Sequence, residues 1–301
     1  MLTILRFKFT NINEMKKNYL LIGFVFLSLV FSGCIGQKNL KKPLFFIQMT
    51  DTQFGFFEND QKFAKETENF EKAVAAANRL KPAFVIITGD LVNLMGDPAQ
   101  IAEYKRIAAK LDPTIQLYSV PGNHDVGNKP NPGILTAYRK AFGADYYTFK
   151  NGDLFAIVLN SGLISDPSGS LQESEKQLKW LNMAFKKAKK SGCKSIVVFQ
   201  HHPFFLQTPD EKDQYFNIPT PIRKKYLQLF RENGVSHVFA GHLHKNAFGK
   251  DGDMEMVTTG PVGRPLGKDP SGFRIVVVNG NHLKHTYYAL DSIPDKINVP
   301  F

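Results

Sequence analysis

Residues 84–90 read Phe84-Val85-Ile86-Ile87-Thr88-Gly89-Asp90. Aromatic and β-branched bodies run without interruption into a glycine and then a carboxylate. A continuous apolar run of this length predicts a strand buried on both faces, as in the sheet of an α/β protein. The same arrangement recurs on either side. Residues 44–50 (Leu44-Phe45-Phe46-Ile47-Gln48-Met49-Thr50) run into Asp51-Thr52-Gln53, and residues 116–120 into Pro121-Gly122-Asn123-His124-Asp125. Ile196-Val197-Val198-Phe199-Gln200 meets His201-His202-Pro203, and His237-Val238-Phe239-Ala240 meets Gly241-His242-Leu243-His244. Ligands of open α/β sheets bind beyond the carboxyl ends of the strands, so strands sharing one sheet would bring all five clusters to one rim.

Helical patterns fill the intervals, at residues 62–80, 98–111, 133–142, 173–190 and 221–232. In the first, Phe63, Phe70, Val74 and Ala77 recur at spacings of seven, four and three, as one buried helix face requires. Further strands are expected at 155–160, 254–259, 273–278 and 284–289. The last three follow one another without long helices, so they could pair antiparallel as a second sheet or close the first. No Pro/Gly-rich linker or repeat divides residues 44–301, which read as one α/β domain. A hydrophobic content of 43% suffices for a full core and excludes disorder of the bulk.

The residue types at the strand ends point to metals. Carboxylates (Asp51, Asp90), an amide (Asn123) and imidazoles (His201, His242, His244) offer mixed oxygen and nitrogen ligation. Such donors suit divalent Mn, Fe or Zn, and the absence of thiolate argues against a structural zinc cage. The donors exceed one tetrahedral site, which favours two metals bridged by a carboxylate. Such a pair suits phosphate ester hydrolysis, which is very slow uncatalysed and needs strong charge stabilisation. Blander readings exist for several neighbours. Asn123 could cap a helix. His237, His282, His285 and Trp180 read as structural or core residues, and Asn93 as a loop hydrogen-bonding residue. Arg264 and Lys268 flank a Gly/Pro-rich loop and are candidate contacts for substrate phosphate, as is His202.

The ordered set Asp51, Gly89-Asp90, Gly122-Asn123-His124-Asp125, His201 and Gly241-His242-Leu243-His244 resembles the five-motif signature of the calcineurin-like metallophosphoesterases. The resemblance implies a four-layer α/β/β/α sandwich and two divalent metal ions. It implies that Asp90 bridges both metals, that Asp51 and His244 bind the first, and that Asn123, His201 and His242 bind the second. His124 would be the general acid, with Asp125 orienting it. Where the common first motif carries His, this chain has Gln53, which offers only a neutral amide oxygen. Gln53 is therefore carried as a candidate ligand. The Asp51-Thr52-Gln53-Phe54-Gly55 and Leu266–Pro270 segments are similar to a subgroup, calcineurin-like phosphoesterase domain-containing protein 1 and its bacterial relatives. That similarity implies a phosphomonoesterase whose substrates include phosphoprotein side chains. A phosphodiesterase or nucleotidase using the same metals is the alternative, and a non-catalytic binding protein retaining the fold is a second alternative.

The first 33 residues need separate treatment. Lys16-Lys17, an apolar run from Tyr19 to Phe31, and Ser32-Gly33-Cys34 have the order of a secretory signal ending in a bacterial lipobox. The run is shorter than the roughly 20 residues that span a membrane. The expectation is cleavage before Cys34, a lipid on its sulfur, a short linker to residue 43, and a location at the cell envelope. Met15 is a better start than Met1. With Cys34 lipidated, Cys193 stands alone and no intramolecular disulfide can form. Residues 1–33 carry four Lys/Arg and one Glu, so the remainder keeps +8 of the net +11. That charge suits anionic phosphate esters; nucleic acid is not an expected partner.

Overall fold

The structure is a computed structural model that describes residues 43–297. The leader, start-codon, linker and Cys34 readings lie outside those residues. The chain opens with β1 (Leu44–Met49), α1 (Ala64–Leu80), β2 (Phe84–Thr88), α2 (Pro98–Ala108) and β3 (Gln116–Val120). A one-turn helix α3 (Asn123–Val126), α4 (Pro132–Phe142), β4 (Tyr147–Asn151), β5 (Leu154–Val158), the short α5 (Gly162–Ser165) and α6 (Leu171–Lys190) follow. The chain continues through β6 (Ser195–Phe199), α7 (Thr220–Asn233), β7 (Val235–Ala240), β8 (Ala247–Asp251), β9 (Met254–Thr258), β10 (Gly272–Asn279) and β11 (His282–Ala289). Side chains close the helix starts: Asp97 accepts from Gln100 N at 2.8 Å before α2, and Asn131 from Ile134 N at 3.0 Å before α4.

The strands form two sheets, β11-β10-β1-β2-β3 and β4-β5-β6-β7-β9-β8. Successive residues of the central strands face different cores. In β2, Val85 and Ile87 pack with Phe70 and Val74 of α1, whereas Phe84 and Ile86 meet Val197, Phe199 and Phe239 of the opposite sheet. In β6, Val198 packs with Phe185 of α6 and Phe230 of α7, whereas Val197 and Phe199 face inward. Phe46 stacks on Phe84 at 4.7 Å and meets Phe199 edge-on at 5.6 Å, joining the sheets at the centre. The period of two thus produces three stacked cores and the α/β/β/α sandwich.

This arrangement corrects the shared-rim expectation. Three motif-bearing strands, β1 to β3, lie in one sheet, while β6 and β7 lie in the other. The late strands divide as well: β9 pairs parallel with β7, and β10 pairs antiparallel with β1 and β11. A buried polar bridge aligns the two sheets at their carboxyl ends. Gln48 of β1 donates to Thr88 Oγ1 and to Ala240 O of β7, both at 3.0 Å, and accepts from Thr259 Oγ1 at 2.7 Å. Every polar atom of that side chain is thereby satisfied in a core where an unpaired one would be costly.

Candidate metal centre

The residues that end these strands leave the extended conformation abruptly. Asp51 (φ 48°), Gln53 (φ 38°), Asp90 (φ 50°), His242 (φ 70°) and His244 (φ 56°) all occupy the left-handed region. Each such residue costs roughly 1–3 kcal/mol and persists only where its surroundings over-determine it. Here backbone bonds fix them: Asp51 N donates to Gly89 O and Gln53 N to Asp90 O, both at 2.9 Å. Two glycines allow the sheet ends to meet. A Cβ on Gly122 would stand 2.1 Å from Asp90 Oδ1, and one on Gly241 would stand 1.9 Å from Thr50 Oγ1.

Two buried triads result. Asp90, His201 and His242 offer ligand atoms within 4.8 Å of one another, and so do Asp51, Asp90 and His244. Asp90 is common to both. Each histidine has one nitrogen held by a backbone carbonyl: His201 Nδ1 faces Thr88 O at 2.8 Å, His244 Nδ1 faces Arg264 O at 2.6 Å, and His242 Nε2 faces Tyr215 O at 3.3 Å. A carbonyl accepts only, so each of those nitrogens carries a proton, and the other nitrogen is the one that would offer its lone pair to a cation. The other nitrogen of His201, Nε2, lies 3.1 Å from both Asn123 Oδ1 and Asp90 Oδ2, and that of His244 lies 3.3 Å from Asp51 Oδ1.

Two carboxylates are buried together in this cluster. Asp51 and Asp90 are at most 1% exposed. Their ion-pair partners among the described residues are the imidazoles of His244 and His201, with no Lys or Arg. Burial by itself would raise the Asp90 carboxyl, but His201, His124 and His242 override it and hold it far below the usual range. Burial opposes a charged His201, yet the Asp90 carboxylate lifts it to about 9. Burial and the neighbouring His201 push His242 down to about 4. Two buried carboxylates whose ion-pair partners are imidazoles alone are the environment a cation would satisfy. Gln53 adds a specific sign: its Nε2 donates to Asn93 Oδ1 at 3.1 Å, while its buried Oε1 has no partner. An orphaned acceptor beside two carboxylates has the chemistry of a metal ligand. The donor set therefore fits a dinuclear divalent site.

Other candidates fall elsewhere. His124 lines the cleft over the triads, with its Nδ1 2.7 Å from Asn93 O. Asp125 does not orient that ring. Its carboxylate accepts from Gly122 N (2.8 Å), Leu91 N (3.0 Å) and Val92 N (3.3 Å), tying the loop after β2 to the loop after β3. Burial and the negative charge of Asp90 push the Asp125 carboxyl up, against the pull of those amides. His202 is buried behind His242, ring centroids 4.4 Å apart, with Nδ1 2.9 Å from Ser161 Oγ, so it supports His242 and does not line the cleft. The guanidinium of Arg264 turns to Phe56, donating to its carbonyl at 3.2 Å and covering its ring at 5.3 Å. Lys268 is exposed and outside the cleft lining. Aromatic walls escaped the sequence reading: Tyr215 and Phe216 stand over His242, and Phe56 over His244. The one signal for the first two was an aromatic pair within the aperiodic residues 203–219.

Fold and donor set together define a metal-dependent phosphoric ester hydrolase. The chain belongs to the calcineurin-like phosphoesterase family, whose pattern matches residues 46–246. It is 38% identical over 275 residues to the zebrafish (Danio rerio) serine/threonine-protein phosphatase CPPED1, covering 86% of this chain and 89% of that protein. A Rhodopseudomonas palustris protein named "Probable cyclic nucleotide phosphodiesterase RPA0124" is 27% identical over 205 residues, covering 66% of this chain and 71% of that protein. Among solved structures, the yellow lupin (Lupinus luteus) purple acid phosphatase PPD1 shares the fold with a TM-score of 0.63 at 12% identity, covering 84% of this chain and 52% of that one.

Proposed function

We propose that the chain is a dinuclear-metal phosphomonoesterase, acting on small phosphate esters that include phosphorylated protein side chains. The observation that carries this reading is the pair of buried triads sharing Asp90. Asp51, Asp90, His244 and the orphaned Gln53 Oε1 would hold the first ion. Asp90, Asn123, His201 and His242 would hold the second, with Mn, Fe or Zn as the suitable metals. When bound, the ions supply Lewis acidity that lowers the pKa of water and balances phosphoryl charge.

The chain's own groups do the rest. With its Nδ1 proton given to Asn93 O, His124 keeps Nε2 for carrying a proton to the leaving oxygen. Asp125 holds the loops of Asp90 and His124 in register. The phosphatase name of the zebrafish relative supports protein side chains as substrates. The name of the Rhodopseudomonas relative supports the phosphodiesterase reading. Cleft size favours the monoester: its volume of about 200 Å³ is below the roughly 300–1,000 Å³ of sites that enclose a drug-sized ligand. Profiling a generic aryl monoester against its bis-ester, with metal content measured on the same sample, tests this. The monoester should be the better substrate, and preferred hydrolysis of the bis-ester would overturn the monoesterase reading.

Replacing Gln53 with His should change which metal activates best, because an imidazole replaces a weak amide donor at the first ion. A metal-activation profile unchanged by Gln53→His would remove Gln53 from the ligand set. The reading also places residues 44–301 as the catalytic unit, held at the cell envelope by a lipid on Cys34. No described helix is long and apolar enough to cross a membrane. A Cys34→Ala variant should pass from the membrane to the soluble fraction on cell fractionation, and retention in the membrane would refute the anchor.

A further inference from the structure

We propose that Tyr215 is a substrate-binding residue that makes this cleft selective for aryl phosphomonoesters, an inference that rests on the phosphomonoesterase reading above. Among the described residues, none of the side chains lining the cleft is Lys or Arg. Phosphoryl oxygens that the cation site does not engage must therefore find neutral donors. Tyr215 supplies one. Its side chain lines the cleft together with Asp90, Asn123 and His124. The residue thus borders the polar floor of the cleft although as a whole it is 63% exposed. A donor there would meet an anionic oxygen, which makes for a strong hydrogen bond.

The ring has a second role. Its centroid lies 5.0 Å from that of His242 and 5.2 Å from that of Phe216, which stands edge-on to it. Phe56 flanks the other half of the site, 5.1 Å from His244. Leu266, half exposed, completes an apolar rim around a polar floor. A leaving group seated between these rings is rewarded if it is itself flat and aromatic, through edge-to-face and offset contacts. A short aliphatic ester arm gains less from the same walls.

The test compares phosphotyrosine and phosphoserine peptides with identical flanking residues on the metal-loaded full chain. Intrinsic leaving-group reactivity cancels when each variant is compared with wild type on the same peptide. Tyr215→Phe keeps the ring and the carbonyl that holds His242, and should lower kcat/KM about 10-fold on both peptides. Tyr215→Leu should cost a further 2- to 10-fold or so on phosphotyrosine alone, mainly in KM. Metal content should stay at the wild-type level in both, since only the Tyr215 backbone touches His242 by hydrogen bond. Unchanged kinetics in Tyr215→Phe, equal further loss on both peptides in Tyr215→Leu, or loss of metal from either variant would each overturn the proposal. Failure of the metal-loaded wild type to hydrolyse either peptide or a simple aryl phosphate would instead overturn the reading on which it rests.

Discussion

Asp90→Asn is expected to lower phosphomonoester turnover by ~10³-fold or more while leaving the fold intact, which corresponds to roughly 4 kcal/mol of lost transition-state stabilisation. The carboxylate is the one donor shared by both triads. Asn keeps the shape and an acceptor for the His124 amide, which approaches Asp90 Oδ1 at 2.8 Å. It removes the negative charge on which a cation at either side depends. The substitution also removes the partner that lifts His201, so the cluster loses its strongest attraction for positive charge. Steady-state kinetics paired with circular dichroism checks this. Wild-type turnover in a folded Asp90→Asn protein would exclude the bridging role.

His124→Ala should produce the second largest effect, with a signature of its own. General acid catalysis contributes typically 10²–10⁴-fold, so kcat on an alkyl phosphomonoester should fall by about that factor. A good leaving group departs without a proton, so the loss on an activated aryl ester should stay below about 10-fold. KM should change little, because the ring is held through Nδ1 by Asn93 O and would act on the leaving oxygen, not as a ligand of the cation site. Kinetics across esters of graded leaving-group pKa measure this directly. Equal losses on good and poor leaving groups would assign His124 to phosphate binding and away from proton transfer.

The strand ends were legible because buried strands are continuous apolar runs, and a polar cluster after such a run stands out. Which sheet each strand joins was not legible, since Val197 and Val85 look alike in sequence yet face different cores. The edge strands β4 and β8 were missed because they carry charge and, in β8, a glycine, as unprotected edges do. Their turns, Asn151-Gly152-Asp153 and Asp251-Gly252-Asp253, were the available hairpin signal. The role given to Asp125 failed for a local reason. It follows His124 on a single helical turn, and adjacent helical residues do not face each other. Arg264 read as a phosphate contact because its charge is visible in sequence, whereas its affinity for the Phe56 ring appears only once the loops are folded together. Gln53 departs from the family pattern, yet its buried oxygen is left without a hydrogen-bond partner at the cleft that Asp90 also lines.

The most direct test of a dinuclear phosphoesterase is metal stoichiometry and turnover on one preparation, before and after chelation. About two divalent ions per chain are expected in the active protein, with turnover lost on chelation and recovered on adding Mn, Fe or Zn. Undiminished phosphoesterase turnover in a preparation stripped of metal would contradict the account.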